Sequence, residues 1–245
     1  LYAARDLGLM QLKNEQYHPD KSYSVTAEEQ RAYFKGVIAA AELCMPDMKG
    51  KTINIPTGTV KLTTGKMSSR DGGVVEIDWL FSQVADAIRA RGSEPTDEMI
   101  AGVLRYQFLS VRVGNDVVFD IDDAVSVTGN SGPYLQYAHA RARSILAKAR
   151  DPEEAPQEAQ DLQPGERSLV RKIGQYHEVV DTAIEELLPH HICTYLYELA
   201  QEFNRFYEQN RVIGDERQAI RLQLVQAYAD VLKNGLGLLS IHAPG

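Results

Sequence analysis

The chain has 245 residues, of which 44% are hydrophobic and 24% charged, the balance of an ordinary globular protein able to bury a core of normal size. No run approaches the roughly 18 consecutive apolar residues of a membrane span. The net charge of −8 excludes a protein that grips nucleic acid through one global positive field, and two cysteines far apart in sequence, Cys44 and Cys193, exclude a disulfide scaffold and suit a reducing cytosol.

Three regions separate along the chain. The first, residues 1–59, alternates helix and strand. It opens on LYAARDLGLMQLKNE, which has helical spacing. This opening has no basic stretch followed by an apolar one, so no signal peptide is expected. It also lacks an initiating Met and starts in helix-like sequence, which predicts a boundary inside a longer protein. SYSVTA, residues 22–27, reads as a short strand, residues 28–43 as a helix, and residues 53–62 as an extended segment. The alternation predicts part of a layered α/β domain, too short for a complete doubly wound sheet.

The second region, residues 60–127, opens on a Gly, Ser and Lys-rich loop at 63–73. Helices are predicted at 78–91 and 96–107, with a break at 92–95. The third, residues 128–245, is predicted to be a small helix bundle. Residues 151–165, rich in Pro, Gln and Glu, read as a mobile surface loop. Leu196, Leu199, Ala200, Phe203 and Phe206 or Tyr207 recur at three- and four-residue spacings and form one apolar stripe. Val225, Tyr228, Val231 and Leu232 do the same in the last long helix.

The segment richest in chemistry is GKMSSR, residues 65–70. Gly65 on one side and Gly72 and Gly73 on the other permit unusual backbone angles. A hinged loop of this kind can close over a polyphosphate. Lys66 would meet the charge that builds as pyrophosphate leaves, and Ser68 and Ser69 would donate hydrogen bonds. On chemistry alone, a Lys/Ser loop of this type is more often just a solvated surface.

GKMSSR resembles the second signature of class I aminoacyl-tRNA synthetases, usually written KMSKS, with Ser69 where Lys is common and Arg70 in the last place. SVTGNSGPYLQYAHARARSIL (126–146), PHHICTYLYELAQEFNRFYE (189–208) and VLKNGLGLLSIHAP (231–244) resemble the helical anticodon-binding domain of arginyl-tRNA synthetases, and LYAARDL resembles those enzymes' YxxRD segment. The resemblance spans nearly the whole chain, with its motifs in order. It implies the C-terminal part of a Rossmann-like catalytic domain at 1–59, a KMSKS-type loop with a connecting helical region at 60–127, and a mainly helical anticodon-binding domain at 128–245.

The resemblance also implies roles. Gly65, Lys66, Met67, Ser68 and Ser69 would form the ATP loop, with Lys66 as its catalytic cation and Mg2+ arriving with ATP. Tyr2, Asp6 and Gln30 would hold the substrate arginine. Gln30 falls in VTAEEQRAYF, which matches a VVGxEQxxHF-like family segment; the family's His-Phe is Tyr33-Phe34 here. The residue types suit the task. Positions i and i+4 share a helix face, so Tyr2 and Asp6 can meet in one pocket, and a carboxylate can accept two parallel charge-assisted hydrogen bonds from a guanidinium.

Tyr134, Tyr137, His139, Arg141 and Arg143 form an aromatic and basic cluster in an acidic chain. Such a cluster binds unpaired bases by stacking without a large net charge. Each tyrosine is equally able to pack in the core with its hydroxyl at the surface. His190, His191 and Cys193 lack the ligand spacing of zinc sites, so no protein-bound metal is expected.

The implied activity is ATP-dependent formation of arginyl-adenylate, followed by transfer of the arginyl group to tRNA(Arg), with tRNA needed even for the first step. The implied partners are tRNA(Arg), L-arginine, ATP and the N-terminal half of the same enzyme, in the cytoplasm and away from membranes. No HIGH-like first signature occurs in the 245 residues. The alternative is therefore an isolated tRNA-binding module, and the chain by itself is expected to be inactive. The cysteinyl enzyme shares a helical domain of this type, but its zinc-binding Cys and His set is not visible, and Tyr2 with Asp6 suits a cationic substrate better.

Overall fold

The computed structural model describes residues 2–63, 76–149 and 161–244. The chain divides into two compact units, Leu1–Lys61 with Val113–Val118, and Leu62–Arg112 with Phe119–Gly245.

In the first unit, helix α1 (Tyr2–Tyr17) is followed by strand β1 (Ser22–Ala27), a single 3-10 turn (Glu28–Gln30), helix α2 (Arg31–Cys44) and strand β2 (Thr52–Thr57). β1 and β2 pair in parallel, in register from Ser22↔Thr52 to Ala27↔Thr57, so β1, α2 and β2 make one βαβ unit. Asn54 reinforces the pair from the side, its amide donating to the Ser24 carbonyl and the Thr26 hydroxyl. The helix expected at 28–43 enters through the 3-10 turn and only then becomes α-helical. Gly50, at φ +69°, makes the turn into β2, and its N–H donates to the Glu42 carboxylate at 2.8 Å. A small core of Met10, Val37, Ala41 and Met48 fixes α1 against α2, with Leu7, Phe34 and Ile38 packed around it.

Strands β3 (Val60–Leu62) and β4 (Val117–Phe119) pair in a second two-stranded sheet. Only β3 falls in a segment expected to be extended. β4 is three residues long and carries too little pattern to be read from sequence.

Among the described residues of the second unit, the regular elements other than the ends of these strands are helices. Helix α3 (Ile77–Ala90) and helix α4 (Asp97–Leu109) share a core of Leu80, Val84, Ile88, Ile100, Val103 and Leu104 with Phe119. Thr96 caps α4 by accepting from the Met99 N–H. A one-turn helix α5 (Ile121–Ala124) leads to α6 (Gly132–Lys148), whose Ser131 cap accepts from the Tyr134 N–H.

Helices α7 (Pro164–Gly174), α8 (Tyr176–Glu186), α9 (His190–Gln209) and α10 (Gln218–Leu238) complete the bundle. Leu196, Leu199, Ala200, Phe203 and Phe206 of α9 are all buried, as are Val225, Tyr228 and Leu232 of α10. Burial of each large apolar side chain contributes about 1.5–3 kcal/mol before entropy is counted. Phe203 and Tyr228 stack at 3.9 Å between ring centroids and 5° between planes.

One boundary moves. Pro164 and Gly165, expected in the mobile loop, form the first turn of α7. Proline's fixed φ suits that position, and Glu166 closes the turn by accepting from the Gln163 N–H at 2.9 Å. The rest of the expected loop, up to residue 160, lies outside the described residues.

Candidate functional site

The core between α1 and α2 sets the first site. It holds the start of α1 beside the 3-10 turn and the first turn of α2. Tyr2, Asp6, Glu29, Gln30, Tyr33 and Phe34 line a cleft of about 550 Å³ there. All three residues expected to hold arginine therefore converge, although Gln30 lies 24 positions from Asp6 in the chain. Asp6 is half-buried, whereas Tyr2 is 79% exposed at the rim.

The cleft contains three residues that sequence reading left without a role, Glu29, Tyr33 and Phe34. Glu29 adds a second carboxylate to the lining, and no Lys or Arg is among these six residues. The phenol of Tyr33 donates to Asp6 Oδ2 at 2.5 Å. That hydrogen bond to the carboxylate raises the Tyr33 pKa, so the phenol stays protonated and remains a donor. Tyr33 also meets Phe34 edge to face, at 5.3 Å and 90°. The available signal was the i, i+3 spacing of Gln30 and Tyr33, which puts both on one face where α2 begins. A carboxylate fixed on one oxygen, with another carboxylate nearby, suits a cation with several donors.

The second site lies on α6, and here the expected cluster divides. Tyr134 is half-buried, and its hydroxyl accepts from the Asn204 amide at 2.9 Å. Arg141 lies over the Tyr207 ring at 4.8 Å, with Asn204 Oδ1 at 3.5 Å from its guanidinium. Tyr137 is 58% exposed, and Arg143 is also exposed.

His139 points elsewhere. It is 3% exposed, and its Nδ1 lies 2.6 Å from the Pro244 carbonyl oxygen. A carbonyl can only accept, so Nδ1 carries the proton; burial lowers the ring's pKa and keeps it neutral. His139 thus holds the C-terminal stretch instead of sharing the exposed face of Tyr137. Two helical steps of 100° separate the two positions, which accounts for the difference. Asn204 and Tyr207, both on α9, join the α6 residues only through packing.

Gly65, Lys66, Met67, Ser68 and Ser69 lie outside the described residues. His191 pairs with Glu186 at 2.8 Å, and Cys193 is buried, its thiol pushed up to about 12 by desolvation. Among the described residues, no group of three or more His, Cys, Asp or Glu side chains is gathered as a metal ion would require. Nor is any helix among them long and apolar enough to cross a membrane.

The helical part defines the class first: residues 135–245 match the DALR anticodon binding domain. Matches to known proteins extend over the whole chain. It is 33% identical to an arginine–tRNA ligase of Limosilactobacillus fermentum, covering 100% of this chain and 45% of that protein. It is 32% identical to one from Halobacterium salinarum, covering 98% and 40%. Among solved structures, Thermus thermophilus arginyl-tRNA synthetase superposes with a TM-score of 0.78 at 29% identity, over 92% of this chain and 41% of that one. The Plasmodium falciparum arginyl-tRNA synthetase shares the fold at 20% identity, with a TM-score of 0.79 over 98% of this chain and 43% of that one. The chain belongs to the arginyl-tRNA synthetase family and corresponds to the C-terminal part of its members. It spans about 45% of the length of the curated relatives it matches.

Proposed function

We propose that this chain is the arginine-recognising and tRNA-binding part of an arginine–tRNA ligase, which joins arginine to tRNA(Arg) at the expense of ATP in the cytoplasm. The observation that carries this reading is the convergence of Tyr2, Asp6 and Gln30 on one cleft with acidic side chains and no lining Lys or Arg. In it, Asp6 receives the guanidinium and Tyr2 adds a phenol contact at the rim. Gln30 binds the other end of the amino acid. ATP is held with Mg2+ by residues 65–69, where Lys66 meets the charge on the departing pyrophosphate. The exposed Tyr137 and Arg143, with Arg141 and Tyr207 beside them, offer stacking and charge to an unpaired RNA loop.

The remaining half of the enzyme supplies the adenosine side of the site and covers the outer face of β1, where Tyr23 is 48% and Val25 67% exposed. Two exposed apolar residues on one strand face are what a second layer of an α/β domain buries. This is the basis for reading the first unit as part of a Rossmann-like catalytic domain.

Arginine-dependent ATP–pyrophosphate exchange with tRNA present tests the proposal. The full-length protein should exchange, and this chain alone should not. Asp6→Ala in the full-length protein should cost about 3 kcal/mol in kcat/KM for arginine, the scale of leaving one member of a desolvated charge pair without its partner. An arginine dependence unaffected by Asp6→Ala would overturn the assignment, and robust exchange by the isolated chain would overturn the division of labour.

A further inference from the structure

We infer that Tyr33 is a positioning residue for arginine, one that fixes the Asp6 carboxylate in the orientation a guanidinium requires. The inference rests on the arginine-site reading above. Its basis is the hydrogen bond from the Tyr33 phenol to Asp6 Oδ2, inside the cleft that both residues line with Tyr2 and Gln30.

An ionised carboxylate has two oxygens and about four lone-pair positions. A bidentate guanidinium takes one position on each oxygen, in the carboxylate plane. Left alone at a half-buried site, the Asp6 carboxylate would rotate about its last side-chain bond, and binding would have to stop that rotation. Tyr33 uses one position on Oδ2 and leaves Oδ1 and the second position on Oδ2 for the ligand. The phenol is itself held. Its ring meets Phe34 edge to face, and Phe34 packs onto the core between α1 and α2. The chain of constraint therefore runs from the core through Phe34 and Tyr33 to the carboxylate. A phenol accepts as well as donates, so Tyr33 can also take a hydrogen bond from a bound guanidinium without adding a charge.

The same hydrogen bond links α1 to α2, so the rival role is that of a plain staple between two helices. The two roles separate by measurement on the full-length protein. L-arginine affinity by calorimetry and thermal midpoints are compared for wild type, Tyr33→Phe, Tyr33→His and Asp6→Asn. Tyr33→Phe keeps the ring and removes the donor; Tyr33→His returns a donor. The expected result is an arginine Kd raised roughly tenfold in Tyr33→Phe, the scale of one hydrogen bond to a charged group. Tyr33→His should recover most of that loss. In exchange assays the change should fall on KM for arginine, with kcat nearly unaltered. A Tyr33→Phe Kd equal to wild type, with only the thermal midpoint lowered, overturns the inference and leaves a staple. A Tyr33→His variant no better than Tyr33→Phe overturns it too. If Asp6→Asn binds arginine as well as wild type, the arginine-site reading itself falls, whatever Tyr33 does.

Discussion

Glu166 is fully buried and accepts from two guanidiniums, Arg217 at 2.5 Å and Arg221 at 3.0 Å. Arg221 also donates to the Gln163 side chain and the Arg211 carbonyl, and Asp215 lies 3.2 Å away. Burial by itself would push the Glu166 carboxyl up. Arg217, the Gln163 N–H and Arg221 outweigh it and hold the group at about 2. Because the folded value lies below the ordinary one, this contribution to stability is complete above the unfolded value and disappears as pH falls through about 2. Glu166→Gln should therefore cost on the order of 3 kcal/mol at neutral pH, since it takes the carboxylate away from the buried Arg221 and the half-buried Arg217. The gap from wild type should close across the acid range below pH 4.5. Urea midpoints measured along a pH series check both the size and the direction. None of this network could be read from the sequence, where Glu166 and Arg217 stand 51 residues apart.

At the scale of elements, α4 and α6 cross at a glycine contact. A Cβ on Gly132 would lie 2.6 Å from the Gly102 carbonyl oxygen and 3.2 Å from Tyr106 Cβ. The first of these is a backbone atom that cannot turn aside. Gly132→Ala should destabilise the protein by about 1–3 kcal/mol through overpacking, although alanine has the better helix propensity. Chemical denaturation checks this; a neutral or stabilising alanine would show that the helices can separate freely. The same two helices bind the C-terminal stretch. Arg105, Gln136 and His139 each bond one carbonyl, of Ser240, His242 and Pro244 in turn. Of the two helices, α4 was legible over 96–107, and α6 only as part of a helix bundle at 128–245. The crossing was not, because a glycine in a sequence does not say which backbone approaches it.

For the whole molecule, a net charge of −8 means that RNA binding has to rest on a few local contacts. Arg143→Ala should weaken tRNA binding and flatten its salt dependence by roughly one counterion, whereas Tyr137→Ala should weaken binding and leave the slope unchanged. Fluorescence anisotropy of labelled tRNA over a salt series separates the two. Equal slopes in all three proteins would remove Arg143 from the interface. Of the five residues read as an RNA-binding cluster, Tyr137 and Arg143 are solvent-exposed and His139 is buried. A list of aromatic and basic residues within ten positions cannot make that distinction without the phase of the helix against its neighbours.

The sequence by itself determined the long helices, the β1 strand and the family, because these rest on periodicity and on motifs that are local in the chain. The resemblance it carries also named Tyr2, Asp6 and Gln30, and the Tyr2 and Asp6 side chains are of types that suit a guanidinium. The tertiary structure alone decided that these three share a cleft and that Tyr33 holds Asp6. It alone turned His139 inward and enclosed Glu166 between two arginines. Those outcomes depend on which helix faces pack together, and a few apolar contacts far apart in sequence, such as Met10 with Val37 and Ala41, fix that choice.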